Sequence, residues 1–329
     1  MPKKALIFGV TGQDGSYLAE VLLERGYEVH GMVRRSATGN TRNIDHLIAD
    51  PEVFNRKFFL CRGDLADPTS LYRLVASIEP QEIYNEADQD HVGWSYDMVG
   101  FSMDITAAAV GRILEIIKQL DPKIRFFQPC TSNMYGLTDT EKQDENTPFN
   151  PQSPYACAKV MAYHLTRYYR QAFGMRASTA ILYNHESPRR TEEYVTRKIT
   201  KAAARIALKK QDRLVLGDLS ARIDWGYARE YMAAANDMLQ LDGGDDFVIG
   251  TGEAHSIEEF VAEAFAAVGL EPGRYVVSDK NLFRPTKTSA LVADIGKAGR
   301  TFGFEPRVTF RRLVGLMVAA DLEREKTSA

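Results

Sequence analysis

The chain has 329 residues, of which 44% are hydrophobic, so it can bury a full core in one large domain or two closely joined ones. Its net charge of −3 gives no bulk attraction to nucleic acid or to anionic membranes, and neither is expected as a partner. The first apolar run ends at Gly9, too early for a signal peptide or a membrane span.

The three cysteines, Cys61, Cys130 and Cys157, are an odd number and show no CxxC spacing. This argues against a disulfide framework and against a structural zinc site. The histidines show no metal-ligand spacing either, so no metal is predicted. A reducing compartment fits these thiols best, and we expect a cytoplasmic protein.

Hydrophobic runs alternate with helical patterns along the first half of the chain. A buried strand is predicted over residues 4–9 and an amphipathic helix over 16–25 directly after it, which makes one βα unit. The alternation then repeats, which predicts an α/β Rossmann fold with a doubly wound parallel sheet. Further strands are predicted at 28–33, 58–61, 82–84, 125–128 and 177–182, and further helices at 71–78, 107–119 and 156–173.

The pattern changes after about residue 184. A charged helix over 193–209, short strand-like pieces around Leu214 and Phe247, and a helix over 257–268 indicate a smaller C-terminal α/β region. We therefore predict an NADP-binding Rossmann domain over 1–183 and a substrate-binding region over 184–329, partly interleaved with the first. No Gly/Ser linker separates them, and the cleft between them is the predicted site.

Three glycines spaced G-x-x-G-x-x-G lie between the first strand and its helix. Glycines there permit a tight turn and let the N–H groups of a helix N-terminus approach a pyrophosphate. A purely structural turn is the alternative, but the position after the first strand of a βαβ pattern favours a dinucleotide. The cofactor-binding residues predicted here are Gly9, Thr11, Gly12, Gln13, Asp14 and Gly15.

The end of the second predicted strand carries Arg34, Arg35 and Ser36, with no carboxylate to accept from a ribose 2′-hydroxyl. Two guanidiniums and a hydroxyl suit a 2′-phosphate, so NADP is favoured and NAD stays possible. A solvated basic loop or an oligomer contact is the alternative. After the third strand, Asp64 and Leu65 are predicted to meet the adenine.

Tyr155 and Lys159 stand four residues apart on a predicted helix and therefore share one face. A neighbouring ammonium favours the phenolate, which can take a proton from a sugar hydroxyl while hydride leaves the same carbon. Thr131 and Ser132 follow the strand before this helix, and Thr131 can hydrogen-bond the reacting hydroxyl. The pattern predicts a sugar oxidoreduction step.

Longer motifs extend this pattern over nearly the whole chain, and with them the sequence closely resembles the GDP-mannose 4,6-dehydratases, which are extended short-chain dehydrogenases/reductases. The most specific are Asn-His-Glu-Ser-Pro-Arg-Arg (184–190) and Val-Thr-Arg-Lys-Ile (195–199). Others are Gly-Val-Thr-Gly-Gln-Asp-Gly (9–15), Arg-Arg-Ser (34–36), Ser-Pro-Tyr (153–155), Asp-Trp-Gly (224–226) and Phe-Arg-Pro (283–285).

The resemblance implies a redox-neutral cycle on a sugar or nucleotide sugar: oxidation of C4 by NADP, elimination of water across C5 and C6, and return of the hydride to C6. It implies that Tyr155, Lys159 and Thr131 perform the oxidation. It also implies a homodimer through helix 156–173, and a tetramer if the basic loop 34–42 bridges dimers. The substrate-binding residues it indicates are Asn184, Glu186, Val195, Arg197, Lys198, Arg222 and Arg284.

The sequence departs from the family pattern where substrate is held and where C5 is deprotonated. Asn133 replaces the glutamate that removes the C5 proton, Ile223 replaces an arginine expected on the diphosphate, and Lys287 replaces an acid. Asparagine cannot act as that base. The substrate therefore need not carry a GDP diphosphate, although Arg222 can compensate for the arginine.

A further departure adds carboxylates. The family run Leu-Ala-Ala-Gln-Ser reads Glu86-Ala-Asp88-Gln-Asp90 here. We hypothesise that Asp88 or Asp90 replaces the missing base, with Asp90 placed in the candidate catalytic set; solvated loop acids are the alternative. Two other functions stay open: a C4 epimerase or oxidoreductase, which the loss of the glutamate favours, and a dinucleotide-binding pseudoenzyme, which the retained Thr131 and Tyr155 disfavour.

Overall fold

A computed structural model describes residues 2–37, 39–282 and 290–327. The predicted contacts of Arg284 and Lys287, like the Phe-Arg-Pro motif at 283–285, lie outside the described residues. Strands in the first half are β1 (Lys4–Phe8), β2 (Glu28–Val33), β3 (Phe58–Arg62), β4 (Glu82–Asn85), β5 (Arg125–Thr131) and β6 (Ala177–Leu182). Helices there are α1 (Gln13–Glu24), α2 (Asp45–Ala49), α3 (Pro68–Ile78), α4 (Val99–Met103), α5 (Ala109–Leu120) and α6 (Pro154–Phe173).

Shorter elements alternate with helices in the second half. The strands are β7 (Asn184–Glu186), β8 (Leu214–Leu216), β9 (Arg222–Tyr227), β10 (Asp246–Ile249), β11 (Ala254–Ser256) and β12 (Val276–Ser278). The helices are α7 (Val195–Ala207), α8 (Ala228–Leu239), α9 (Ile257–Ala266), α10 (Gly296–Phe302) and α11 (Phe310–Thr327). Sequence reasoning predicted α7 and α9 but none of α8, α10 and α11.

The predicted Rossmann fold is confirmed. Seven strands form one sheet in the order β10-β6-β5-β4-β1-β2-β3, and every pairing in it is parallel. The chain reverses direction across the sheet between β1 and β4, which places the carboxyl ends of those two strands at the topological switch point, where open α/β sheets bind ligands.

Local signals explain where the site-bearing helix α6 begins and ends. The Ser153 hydroxyl caps it by accepting from the Ala156 N–H over 3.1 Å, and Pro154 occupies its first turn, where a missing N–H costs nothing. Gly174 ends it in the left-handed conformation, at φ 65°. Tyr155 therefore lies in the first turn, next to the carboxyl end of β5.

Two apolar layers cover the sheet. Helices α1 and α8 pack on one face, where Leu18, Leu22 and Met232 are fully buried; α3, α5 and α6 pack on the other, around Leu71 and Leu114. Because both faces are covered, the central strands read as continuous apolar runs, which is how they could be predicted.

The C-terminal elements divide between the sheet and a second core. Strand β10 pairs with β6 and completes the main sheet, while α7, α9 and α11 enclose a separate cluster that contains Trp225 and Phe260. Strands β7, β9 and β11 form a small mixed sheet between them. The division at residue 183 stays a prediction, but the Rossmann sheet draws its seventh strand from the later part of the chain.

Candidate active site

The turn from β1 into α1 has the shape of a dinucleotide cradle. A Cβ at Gly9, where φ is 79°, would lie 2.5 Å from the carbonyl oxygen of Glu86, and one at Gly15 would lie 2.3 Å from that of Gly9. Only glycine allows these backbone approaches. Gly12 is the N-cap residue of α1 and has no side chain to cap the first N–H groups of the helix. These residues fit a pyrophosphate at the helix N-terminus.

Gln13 and Asp14, two residues predicted to bind the cofactor, also fasten α1 to the 184–190 motif. The carboxylate of Asp14 lies 2.9 Å from His185 Nε2, and Gln13 donates to the His185 carbonyl over 3.0 Å. Burial opposes the charge on each partner, but their mutual attraction outweighs it, lowering the pKa of Asp14 and raising the pKa of His185. The motif therefore fixes the first turn of α1.

A basic cavity of about 480 Å³ lies beside the carboxyl end of β2. Arg34, Arg35 and Ser36 are brought together there, as predicted from the sequence. Arg62, at the end of β3, joins them; no motif marks it, and only its place after a predicted strand could have indicated it. The full lining is Thr11, Val33, Arg34, Arg35, Ser36, Gly39, Asn40, Thr41 and Arg62.

Asp64 and Leu65 lie just past β3 and are not part of that lining. The Asp64 carboxylate accepts from the Ala66 N–H over 3.0 Å, which shapes the loop itself, and Leu65 is buried. Their predicted contact with adenine stays a prediction.

Tyr155, Lys159 and Thr131 meet at the carboxyl end of β5, and all three are buried. The Lys159 ammonium lies 5.7 Å from the centre of the Tyr155 ring. Burial raises the pKa of Tyr155 above its usual value, while Lys159 and a hydrogen bond with Thr131 act to lower it. The phenol and the ammonium are thus placed as a proton-transfer pair.

Asn133 and Ser132 follow Thr131 in a single 3₁₀ turn. The Asn133 amide donates to Thr131 Oγ1 over 3.1 Å, and Ser132 is buried. An amide has no basic lone pair to offer, so the part that Asn133 takes is to orient the threonine hydroxyl.

The three acids that follow β4 occupy different environments. Asp88 Oδ2 lies 2.5 Å from Lys159 Nζ, and Asp90 accepts from the Tyr194 hydroxyl over 3.1 Å. The Glu86 oxygen Oε1 is buried without a hydrogen-bond partner among the described residues. Burial, reinforced by Asp14 and Asp88, raises the pKa of Glu86 well above its usual value, which favours the neutral form of its carboxyl.

Asp90 is exposed at its loop position. Burial and the neighbouring Asp88 raise its pKa; Arg190 and the Tyr194 hydrogen bond oppose this. The Arg190 guanidinium stacks 3.4 Å from the centre of the Tyr194 ring. Sequence reasoning assigned no role of their own to Tyr194 or Arg190, although Arg190 ends the motif at 184–190 and Tyr194 precedes the one at 195–199.

Arg197, predicted to bind substrate, is buried inside the protein, and its contact with substrate stays a prediction. Its Nε and Nη2 atoms lie 2.8 and 2.6 Å from the Asp321 carboxylate, and Nη1 donates to the Arg190 carbonyl over 2.7 Å. Glu186 is likewise buried and accepts from Thr196 Oγ1 over 2.6 Å. Both side chains join the substrate-side elements to one another, since their polar atoms are already bonded within the fold.

The remaining predicted substrate residues lie near the surface of the C-terminal elements. Asn184 begins β7 and Val195 begins α7. Lys198 is exposed and donates to the Val215 carbonyl over 2.8 Å. Arg222, also exposed, pairs with Glu259 at 3.3 Å. Their contact with substrate stays a prediction.

No helix among residues 2–37, 39–282 and 290–327 is long and apolar enough to cross a membrane. Within the same ranges, no group of three or more His, Cys, Asp or Glu side chains is arranged to hold a metal ion.

The chain is similar to known GDP-mannose 4,6-dehydratases over nearly its whole length. A family model described as GDP-mannose 4,6 dehydratase matches residues 6–317. The GDP-mannose 4,6-dehydratase of Yersinia enterocolitica is 44% identical, covering 99% of this chain and 96% of its own length. GDP-mannose 4,6 dehydratase 1 of Arabidopsis thaliana is 44% identical, with 100% and 93% covered.

Solved structures agree on the fold. The crystal structure of the dTDP-glucose 4,6-dehydratase DesIV from Streptomyces venezuelae, with NAD bound, superposes with a TM-score of 0.85 at 22% identity. The match covers 98% of each chain. At this identity the likeness supports the arrangement of strands and helices and carries no information about substrate.

Proposed function

The chain belongs to the GDP-mannose 4,6-dehydratase family, and from that premise we propose that it is an NADP-dependent 4,6-dehydratase of a nucleotide sugar. The reaction oxidises the C4 hydroxyl to a ketone, removes the C5 proton, expels the C6 hydroxyl as water, and returns the hydride to C6 while a proton from solvent is added at C5. The meeting of Tyr155, Lys159 and Thr131 beside the glycine cradle carries the proposal.

Tyr155 takes the proton of the C4 hydroxyl. A bound NADP would supply the hydride acceptor for the oxidation at C4 and the hydride donor for the reduction at C6. Thr131 holds the same hydroxyl in place, with its own Oγ1 oriented by the Asn133 amide at 3.1 Å. The proton leaves the C4 hydroxyl as the hydride leaves C4. The resulting ketone makes the C5 proton acidic enough for a carboxylate to remove.

Asp90 is the carboxylate that we assign to C5. Asp88 is paired with Lys159 at 2.5 Å, the Glu86 oxygen Oε1 is buried away from solvent, and Asn133 cannot accept a proton. Asp90 alone of the 86–90 acids combines solvent exposure with a raised pKa, which makes its carboxylate a stronger base than an ordinary aspartate. The proton that it removes can leave with the C6 hydroxyl as water.

NADP is proposed over NAD because the cavity beside β2 gathers three guanidiniums, those of Arg34, Arg35 and Arg62. Guanidiniums bind a 2′-phosphate through paired hydrogen bonds, whereas a free 2′-hydroxyl is usually met by a carboxylate. We also propose a homodimer or homotetramer, supported by the exposed Met161, Tyr168 and Phe173 on α6. A cytoplasmic location is supported by three free thiols.

A C4 epimerase is the second candidate function. Asn133 favours it, because an epimerase needs only the oxidation and a rotated return of hydride, with no C5 base. Asp90 counts against it, since a raised-pKa carboxylate beside Tyr155 serves no step of simple epimerisation.

Product analysis separates the two. The purified protein is incubated with GDP-mannose and catalytic NADP, and the sugar carbons are followed by ¹³C NMR, with Tyr155→Phe as the inactive control. A 4-keto-6-deoxy sugar supports the dehydratase, and a C4 epimer supports the alternative. If neither product forms although NADP is bound, GDP-mannose is not the substrate. Both reactions are then tested on nucleotide sugars without GDP.

A further inference from the structure

The catalytic lysine of this chain is held by a second charged side chain. Lys159 and Asp88 approach to 2.5 Å, with 3% of the lysine side chain and 15% of the aspartate side chain exposed. Lys159 Nζ also donates to the Pro129 carbonyl over 2.9 Å. An ammonium has three donors, and these two contacts engage two of them.

The pair has an electrostatic consequence for Tyr155. A lone ammonium attracts the negative charge of a phenolate, but a carboxylate in contact with it cancels much of that field at the phenol. Low exposure strengthens the effect because little water screens the three groups. The field at Tyr155 is thus that of an ion pair and not that of a free cation.

Other ionisable groups also lie near Tyr155 and Lys159. Glu86 and Asp90 approach from the segment after β4, Tyr194 from just before α7, and Cys130 from strand β5. Asp88 and Asp90 raise the pKa of Tyr155 and Lys159 lowers it, while burial raises it most. Asp88 is the only one of the carboxylates that contacts the lysine directly within the described part of the chain.

We propose that Asp88 is a positioning residue that fixes and partly neutralises the Lys159 ammonium, and thereby moves proton transfer by Tyr155 to higher pH. The inference deepens the proposed function and rests on it for the identity of the reaction. Asp88 thus sets the pH at which Tyr155 takes part in the C4 oxidation, whereas Asp90 removes the proton from C5.

The test compares Asp88→Asn with wild type and with Asp139→Asn, the same change at an exposed aspartate outside the site. Protein labelled with ¹³C at tyrosine Cζ is titrated from pH 7 to 11, and the Tyr155 signal is assigned by its loss in Tyr155→Phe. We expect Asp88→Asn to titrate about one pH unit or more below wild type, with Asp139→Asn unchanged. If the Tyr155 titration curves of Asp88→Asn and wild type superimpose, the proposal is overturned, whether or not Tyr155 titrates within this pH range.

A kinetic readout links the effect to turnover. With NADP and GDP-mannose, the early absorbance rise at 340 nm reports C4 oxidation, and its acid limb is expected to move to lower pH in Asp88→Asn by the same amount. An unmoved limb overturns the proposal. If no variant gives a rise, the proposed substrate has failed, and the ¹³C titration, which needs no substrate, still decides the role of Asp88. Asp88→Ala serves if the asparagine variant does not fold.

Discussion

The Tyr194 hydroxyl donates a hydrogen bond to Asp90 Oδ2 over 3.1 Å and lies 3.2 Å from the carbonyl oxygen of the same residue. Tyr194 precedes α7, whereas Asp90 follows β4, so the contact joins the substrate-side elements to the Rossmann sheet. A donor to the charged form of a carboxyl stabilises that form. The hydrogen bond from Tyr194 therefore lowers the pKa of Asp90, against the raising effect of burial and Asp88.

Tyr194→Phe removes this donor, and the pKa of Asp90 is expected to rise further. Since the base acts as its carboxylate, activity is lost as pH falls through that pKa, and the acid limb of dehydration should move to higher pH. At pH 7 we expect a loss of about threefold to tenfold. The profile is measured from pH 5 to 9 beside Tyr72→Phe, whose ring is exposed; identical limbs in all three proteins would refute the contact's role.

Glu86 should cost stability in a pH-dependent way. Its pKa is higher folded than unfolded, so the folded state binds the proton more tightly, and stability falls as pH rises above the unfolded value near 4.5. Glu86→Leu removes both the charge and the unpartnered oxygen, and should raise the free energy of unfolding by about 1–3 kcal/mol. Its advantage should be larger at pH 8 than at pH 5.

Denaturant unfolding at the two pH values measures this difference, with Glu86→Gln as the matched variant. Glutamine keeps the size and polarity but cannot ionise, so the pH dependence should vanish while much of the stability cost remains. If wild type has a higher free energy of unfolding than Glu86→Leu at pH 8, Glu86 does not cost stability and the prediction is contradicted.

Arg35 is expected to select the dinucleotide. Arg35→Ala should weaken NADP binding by about tenfold to a hundredfold, the worth of a charge-assisted bond to phosphate, and leave NAD binding unchanged. Calorimetric titration of the purified protein with each dinucleotide measures both affinities. Arg56→Ala, at an exposed arginine outside the cavity, is the control. Equal losses for NAD and NADP would place Arg35 elsewhere than at the 2′-phosphate.

The buried pair of Arg197 and Asp321 separates a structural role from substrate binding. Arg197→Met leaves the Asp321 carboxylate buried and deprived of its main partner, and should lower the free energy of unfolding by about 3–5 kcal/mol. The Michaelis constant of the folded fraction should stay within about twofold, since uniform substrate binding is not removed. A raised Michaelis constant with unchanged stability would instead support the substrate contact that the resemblance implies.

The sheet and the cofactor cradle could be predicted because their signals are local. Apolar runs mark strands buried on both faces, and Gly9 and Gly15 mark backbone approaches that no other residue permits. Tyr155 and Lys159 share one helix face by spacing alone. Each of these inferences needs only a short window of sequence.

The partners of the site residues could not be predicted in the same way. Asp321 lies 124 residues from Arg197, and Tyr194 lies 104 residues from Asp90. No periodicity links such positions, because tertiary packing decides which buried charges meet. The same limit explains why the sequence alone leaves Asp88 beside Asp90 as a candidate for the base, whereas the contact of Asp88 with Lys159 distinguishes the two.

The most direct test of a dehydratase with Asp90 as its base is isotope uptake at C5 in D₂O. NADP-loaded wild type and Asp90→Asn are given GDP-mannose, absorbance is followed at 340 nm, and the sugar is examined by NMR. Wild type should yield a 4-keto-6-deoxy sugar with deuterium at C5. Asp90→Asn should still show the absorbance rise of C4 oxidation but lose C5 deuteration by about a hundredfold or more. Deuterium at C5 appearing at the wild-type rate in Asp90→Asn would contradict the assignment.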